Sequence, residues 1–166
     1  MLYKLLNNMD QLVQFPEAKA HCDVPCGIYD PISAQIDALT VVRMMDLMAA
    51  LADGDEKSRT NFHNSMSRYI NVKESHAEKA KQEIRIIWGD FIKEAHVEKY
   101  PELPDLVHSI MQLGSKCRQT ADRANGLALV EAVNQFAEIF WAIKDVQTKK
   151  AKAPYAPGLE MVYPDL

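Results

Sequence analysis

Apolar side chains recur every three or four residues along most of the chain from Ile32 to Ile143, the period of an amphipathic α-helix. Ile32, Ile36, Leu39, Val42, Met45 and Met48 make a first stripe. Asp30-Pro31 opens it, pairing a side chain that takes free N–H groups with a residue suited to the first helical position. Asp53-Gly54-Asp55 ends that helix and begins the next, whose stripe is Phe62, Met66, Tyr69, Ala77, Ala80, Ile84, Ile87 and Phe91. This stripe thins between Tyr69 and Ala77, where the pattern permits a kink. Tyr100-Pro101 disfavours continuation, because the residue before proline avoids the helical region. Leu103, Leu106, Val107, Ile110, Leu113 and Cys117 define a third helix, and Asn125-Gly126 reads as a turn. Leu129, Val133, Phe136, Phe140 and Ile143 form a fourth in nearly heptad spacing.

No alternating apolar–polar run competes for a strand. Four amphipathic helices with short connections predict an all-α fold, an antiparallel four-helix bundle over residues 30–148. The tail, 149–166, carries Pro154, Pro157 and Pro164 and is expected to be extended and to reach a neighbouring chain. Met44, Met45, Met48 and Met66 lie at helical spacing and read as gap fillers of the core. Trp88 and Trp141 read as core or interface aromatics.

Composition narrows the function classes. The 166 residues make about one domain, 48% hydrophobic and 25% charged, an ordinary globular balance. A net charge of −4 gives nucleic acid no global electrostatic reason to bind. No apolar run in the sequence approaches the ~20 residues of a bilayer span, so no membrane partner is expected. Residues 1–20 end in Ala18-Lys19-Ala20, which imitates a secretory cleavage site, but Asn7, Asn8, Asp10 and Gln11 interrupt any apolar core. The leader then reads either as an ordinary disordered or loosely helical N-terminus or as a propeptide removed by a maturation protease. The segment that follows it makes the propeptide the leading reading; the location reads as cytoplasmic.

Three cysteines, Cys22, Cys26 and Cys117, exclude a disulfide framework. Cys117 sits on an apolar stripe and reads as a reduced core thiol. Cys22 and Cys26 flank a turn made by Pro25 and Gly27, and His21 precedes the first of them. Spacing alone leaves two readings open, a local disulfide and a metal site. Cleavage before His21 adds a terminal amine to the donors, and a deprotonated Cys22 amide adds another nitrogen. Two thiolates and two nitrogens in a plane, with the imidazole on the axis, suit a tetragonal ion such as Ni(II) better than tetrahedral zinc.

The segment His21-Cys22-Asp23-Val24-Pro25-Cys26-Gly27-Ile28-Tyr29 resembles the nickel hook, H-C-D-x-P-C-G-x-Y, of nickel-containing superoxide dismutases. Asp30-Pro31 directly after it, Trp88 and Asp90, the run Glu98-Lys99-Tyr100-Pro101-Glu102-Leu103, and Ile139-Phe140-Trp141 extend the resemblance over most of 21–150. It implies that one nickel ion per subunit is held by the His21 amine and imidazole, the Cys22 amide and thiolate, and the Cys26 thiolate. It further implies superoxide as substrate, disproportionated to oxygen and hydrogen peroxide by Ni(II)/Ni(III) cycling, and a homohexamer.

By the same resemblance Asp23 shapes the pocket, Tyr29 closes over the open nickel face and Pro25 takes a cis bond. The family typically holds its axial imidazole with a glutamate and an arginine; the matching places here are Asp37 and His76. Phe91 stands where some members carry a tyrosine. Lys93 is a candidate for drawing in the anion. The rival reading is a non-catalytic helical-bundle module that binds nickel or zinc.

Overall fold

The computed structural model describes residues 27–166, and four long helices dominate it. They are α1 (Ile32–Ala52), α2 (Arg59–Ile86), α4 (Leu103–Gln119) and α5 (Arg123–Ile143). A short helix, α3 (Glu94–Lys99), and a π-helical turn (Ile87–Phe91) lie between α2 and α4. α1 packs on α2 and α5, and α4 packs on the same two, which closes the helices into a four-membered ring. Lys73 of α2 bonds to the Cys117 carbonyl at the end of α4, while Lys81, further along α2, reaches back to Ser115. Arg123 at the start of α5 pairs with Asp46 near the end of α1. Neighbours thus run antiparallel, as expected for this all-α bundle.

The local rules explain most boundaries. Asp30 accepts the Ile32 amide at 2.8 Å and starts α1. Ser58 accepts the Asn61 amide at 3.3 Å, so α2 begins at Arg59 rather than at the Asp-Gly-Asp break. α2 is continuous through 69–77, and buried Lys73 fills the gap in its stripe. Asn125-Gly126 is no turn: Asp122 caps α5 one residue before Arg123, and both residues lie inside the helix. Gly126 is there for packing, since a Cβ on it would stand 3.0 Å from Met45 Sδ and from Val42 Cγ2. α1 turns Ala34, Ala38, Val41, Val42 and Met45 to the core and leaves Ile36 exposed, so its working stripe includes alanines the apolar pattern passed over.

The core is built on Phe136, Phe140, Ile84, Leu103, Ile110, Leu129 and Val133, all fully or almost fully buried. Each such side chain contributes about 1.5–3 kcal/mol of transfer free energy. Among the described residues one helix, α5, is long and apolar enough to cross a membrane by length and composition, which the sequence reading did not register. Its apolar side chains Leu129, Val133, Phe136 and Phe140 form the bundle core instead.

The tail is extended, in two strands. β1 (Thr148–Lys152) pairs antiparallel with β2 (Glu160–Pro164), with Lys150 opposite Val162. Met161 and Val162 are buried, and the hairpin folds back onto α1 and α5 of its own chain. No strand signal announced it, because β1 is mostly lysine and only two residues of β2 are buried.

Candidate metal centre

The candidate ligands His21, Cys22 and Cys26, with Asp23 and Pro25, lie outside the described residues. What is described is the scaffold that receives them. Gly27 adopts a left-handed φ of 70°, which only glycine takes without strain, and Ile28 beyond it is 80% exposed. Tyr29 is half-buried, and α1 begins three residues later.

Tyr29 rests on an aromatic platform. Its ring lies 5.7 Å from Phe91, which in turn lies 5.0 Å from Phe140 and stacks on His96 at 5.6 Å. Trp141 meets Phe140 edge-on at 5.1 Å. The π-helical turn places Phe91 there. The Ile92 amide bonds to the Ile87 carbonyl five residues back, and this wider turn brings Ile87 and Ile92 to the core together. One cation sits on the platform, Lys144 Nζ, 5.3 Å from the centroids of both Phe91 and Phe140. Lys93 is exposed and gives its Nζ proton to the Asp90 carbonyl at 2.8 Å.

Asp37 and His76, separated by thirty-nine positions in sequence, meet between α1 and α2 with Nδ1 and Oδ1 2.5 Å apart. Asp37 is nearly buried and His76 partly so. Burial raises the Asp37 carboxyl above its ordinary value, and the hydrogen bond and charge of His76 and the charge of Lys79 only partly offset it. A carboxylate that accepts the Nδ1 proton fixes the ring and leaves Nε2 as the nitrogen available to another group. Periodicity alone marks His76 as one more helix-surface residue. The residues that sequence reasoning missed are His96 and Lys144, which carried no motif.

The family model for nickel-containing superoxide dismutase matches residues 16–144, a span that takes in the whole hook. The chain belongs to this family. It is 36% identical over 132 residues to the superoxide dismutase [Ni] of Streptomyces coelicolor, covering 80% of this chain and 90% of that protein. With the Streptomyces seoulensis enzyme of the same name it shares 36% over 135 residues, 81% of this chain and 92% of that one. The native nickel superoxide dismutase structure aligns with a TM-score of 0.65 at 35% identity, over 75% of this chain and 99% of that one. A structure of the enzyme with nickel ligation of the oxidised state gives 0.66 at 36%, again over 75% and 99%. The bundle is therefore the dismutase fold, and the hairpin after α5 lies beyond the matched residues.

The donor set of the hook fits the family's metal. Two thiols and an imidazole within six residues are soft and borderline donors suited to nickel. Among the described residues no three His, Cys, Asp or Glu side chains converge to form another metal site. Cys117 is a free thiol buried in the core, and burial pushes it up to about 11, so it offers no thiolate at neutral pH.

Proposed function

We propose that this chain disproportionates superoxide to oxygen and hydrogen peroxide at a nickel ion held by residues 21–26, after a protease removes residues 1–20. The observation that carries the reading is the family match running through hook and bundle together. When bound, nickel supplies the one-electron exchange with superoxide, cycling between its +2 and +3 states. The His21 amine and imidazole, the Cys22 amide and thiolate and the Cys26 thiolate hold it, and Asp23 and Pro25 shape the turn.

The rest of the work falls to the scaffold. Tyr29, braced on Phe91, stands at the foot of the hook and orders small molecules with its phenol. Asp37 orients His76, whose Nε2 takes up the His21 imidazole in place of the glutamate and arginine pair typical of the family. Lys144 and Lys93 place positive charge on the approach of the anion.

The active form is a cytoplasmic homohexamer with one nickel ion per subunit. Exposed Ile28, next to Tyr29, is an apolar side chain that a subunit contact at the hook would cover.

The test is superoxide decay catalysed by nickel-loaded protein beginning at His21, beside the uncleaved chain. Activity is expected only in the cleaved form, and loss of both turnover and tight nickel binding is expected in Cys22→Ser and Cys26→Ser. Nickel binding without turnover in either form would make the chain a metal-binding module and sink the dismutase reading.

A further inference from the structure

We propose that the C-terminal hairpin is a positioning element for the hook, acting through the first two turns of α1. The hairpin is an addition beyond the residues matched to the family, which end at 144. It does not hang from the bundle. Ile32, Gln35 and Leu39 of α1 fall at i, i+3 and i+7, a single helical stripe, and all three turn to the hairpin. Leu39 packs with Ala153 and Met161, and Ile32, Leu159 and Tyr163 close around that cluster. Met161 is fully buried, and its sulfur takes the hydroxyl protons of Tyr155 and Tyr163 at 3.5 Å each.

Gln35 makes the most specific contact. Its Nε2 donates to the Val162 carbonyl at 3.0 Å, and its Oε1 accepts the Val162 amide at 2.8 Å. In an antiparallel pair a residue turns both backbone groups either to its partner strand or away from it. Val162 turns them away from β1, and the Gln35 amide closes that edge as a strand would. Asn134 of α5 donates to the Glu160 carbonyl at 2.9 Å, so β2 bridges α1 and α5. Gln35 is 2% exposed with the hairpin in place, so both bonds are made out of reach of water, and a side chain there without an amide would leave the two Val162 backbone groups buried and unpartnered.

The other face of α1, Ala34, Ala38, Val41, Val42 and Met45, is packed into the bundle. The helix is thus gripped on two sides, and the second grip falls on the turn directly after Tyr29. Tyr29 precedes Ile32 by three residues, and Cys26 precedes Tyr29 by three. Whatever fixes the direction of the first turn of α1 fixes the base from which the hook departs. The inference rests on the hook being the metal site only for its consequence; the mechanical claim stands on α1 and β2 alone.

The deciding experiment is amide hydrogen exchange of the full-length, metal-free protein. If the hairpin and the first turns of α1 are one unit, the Val162 amide and the amides of Gln35 to Leu39 open together, within about threefold of one another in protection. Gln35→Leu keeps the volume roughly and removes both bonds; it should lower protection at Gln35–Leu39 about tenfold while α4 is unchanged. Gln35→Glu, which turns a carboxylate oxygen on the Val162 carbonyl at a buried position, should lower protection at least as far as Gln35→Leu. Nickel loaded into either cleaved variant should pass to a chelator faster than from the cleaved wild type. Val162 opening freely while the start of α1 stays protected overturns the proposal, as does a uniform loss over all helices. Should Gln35→Leu not fold, the wild-type comparison decides alone. A wild-type chain that binds no nickel would remove the dismutase reading and leave the exchange result standing.

Discussion

At the scale of single residues, the Asp37–His76 contact joins two helices through a nearly buried carboxylate. Removing the imidazole strands that carboxylate, so His76→Ala should lower stability by about 1–3 kcal/mol. His76→Gln retains a donor and should cost clearly less. Urea unfolding of the metal-free variants measures both, and equal costs would show that the pair is not held by this bond. Cys117 makes a second prediction. Its thiol keeps its proton in the folded protein up to about 11, whereas the unfolded chain releases it near the ordinary 9.0. The native state therefore binds more protons in that window, and stability falls as pH rises through it, by up to about 1.4 kcal/mol per pH unit. Cys117→Ala should flatten that part of the stability profile, and the native thiol should resist alkylation at pH 8 until urea exposes it.

Among the elements, the clearest device is Lys73. Its ammonium, buried between α2 and α4, donates to the Cys117 carbonyl and, at 2.9 Å each, to those of Arg118 and Thr120. These are carbonyls of the last turn of α4 and of the residue that caps it, which otherwise lack helical partners. Lys73→Met should cost about 2–4 kcal/mol and loosen the end of α4 first. Thermal melts give the magnitude, and hydrogen exchange at 115–120 gives the location; a loss spread evenly over the chain would contradict it. The same residue shows how far the sequence could be read. The four stripes placed every long helix, because burying an apolar face at 3.6-residue spacing leaves a strong periodic trace. A lysine in the core leaves none, so the thin stretch of α2 resembled a weak point when it is a polar joint. Gly126 misled for the opposite reason, since a glycine chosen to admit Met45 and Val42 looks locally like one chosen for a turn. At the site, Tyr29 and the hook were legible as a motif and Asp37 and His76 only by their place in a family pattern. The platform of Phe91, Phe140 and Lys144 depends on a π-helical turn and a tertiary meeting that no local spacing encodes.

For the whole molecule, the ring of helices is the part matched to the family and the hairpin lies beyond the matched residues. The ring explains how one scaffold carries the hook on a short lead, three residues from Tyr29 to the start of α1. An assembly in which subunits cover one another's hooks should depend on Ile28, the apolar side chain most exposed beside the platform. Ile28→Asp should shift the mass in light scattering toward smaller species with the helical content unchanged. An unaltered mass would place the subunit contacts elsewhere. The hairpin has a consequence of another kind, in the order of synthesis. It is made after every described helix, yet it covers the outer stripe of α1, the first of them to be made. During translation Ile32, Gln35 and Leu39 lack the cover of the hairpin until β2 has left the ribosome, so α1 acquires that wall only once the described helices are complete. A metal ion captured by the nascent chain would meet a hook with half of its support, and one delivered after release would meet the finished seat.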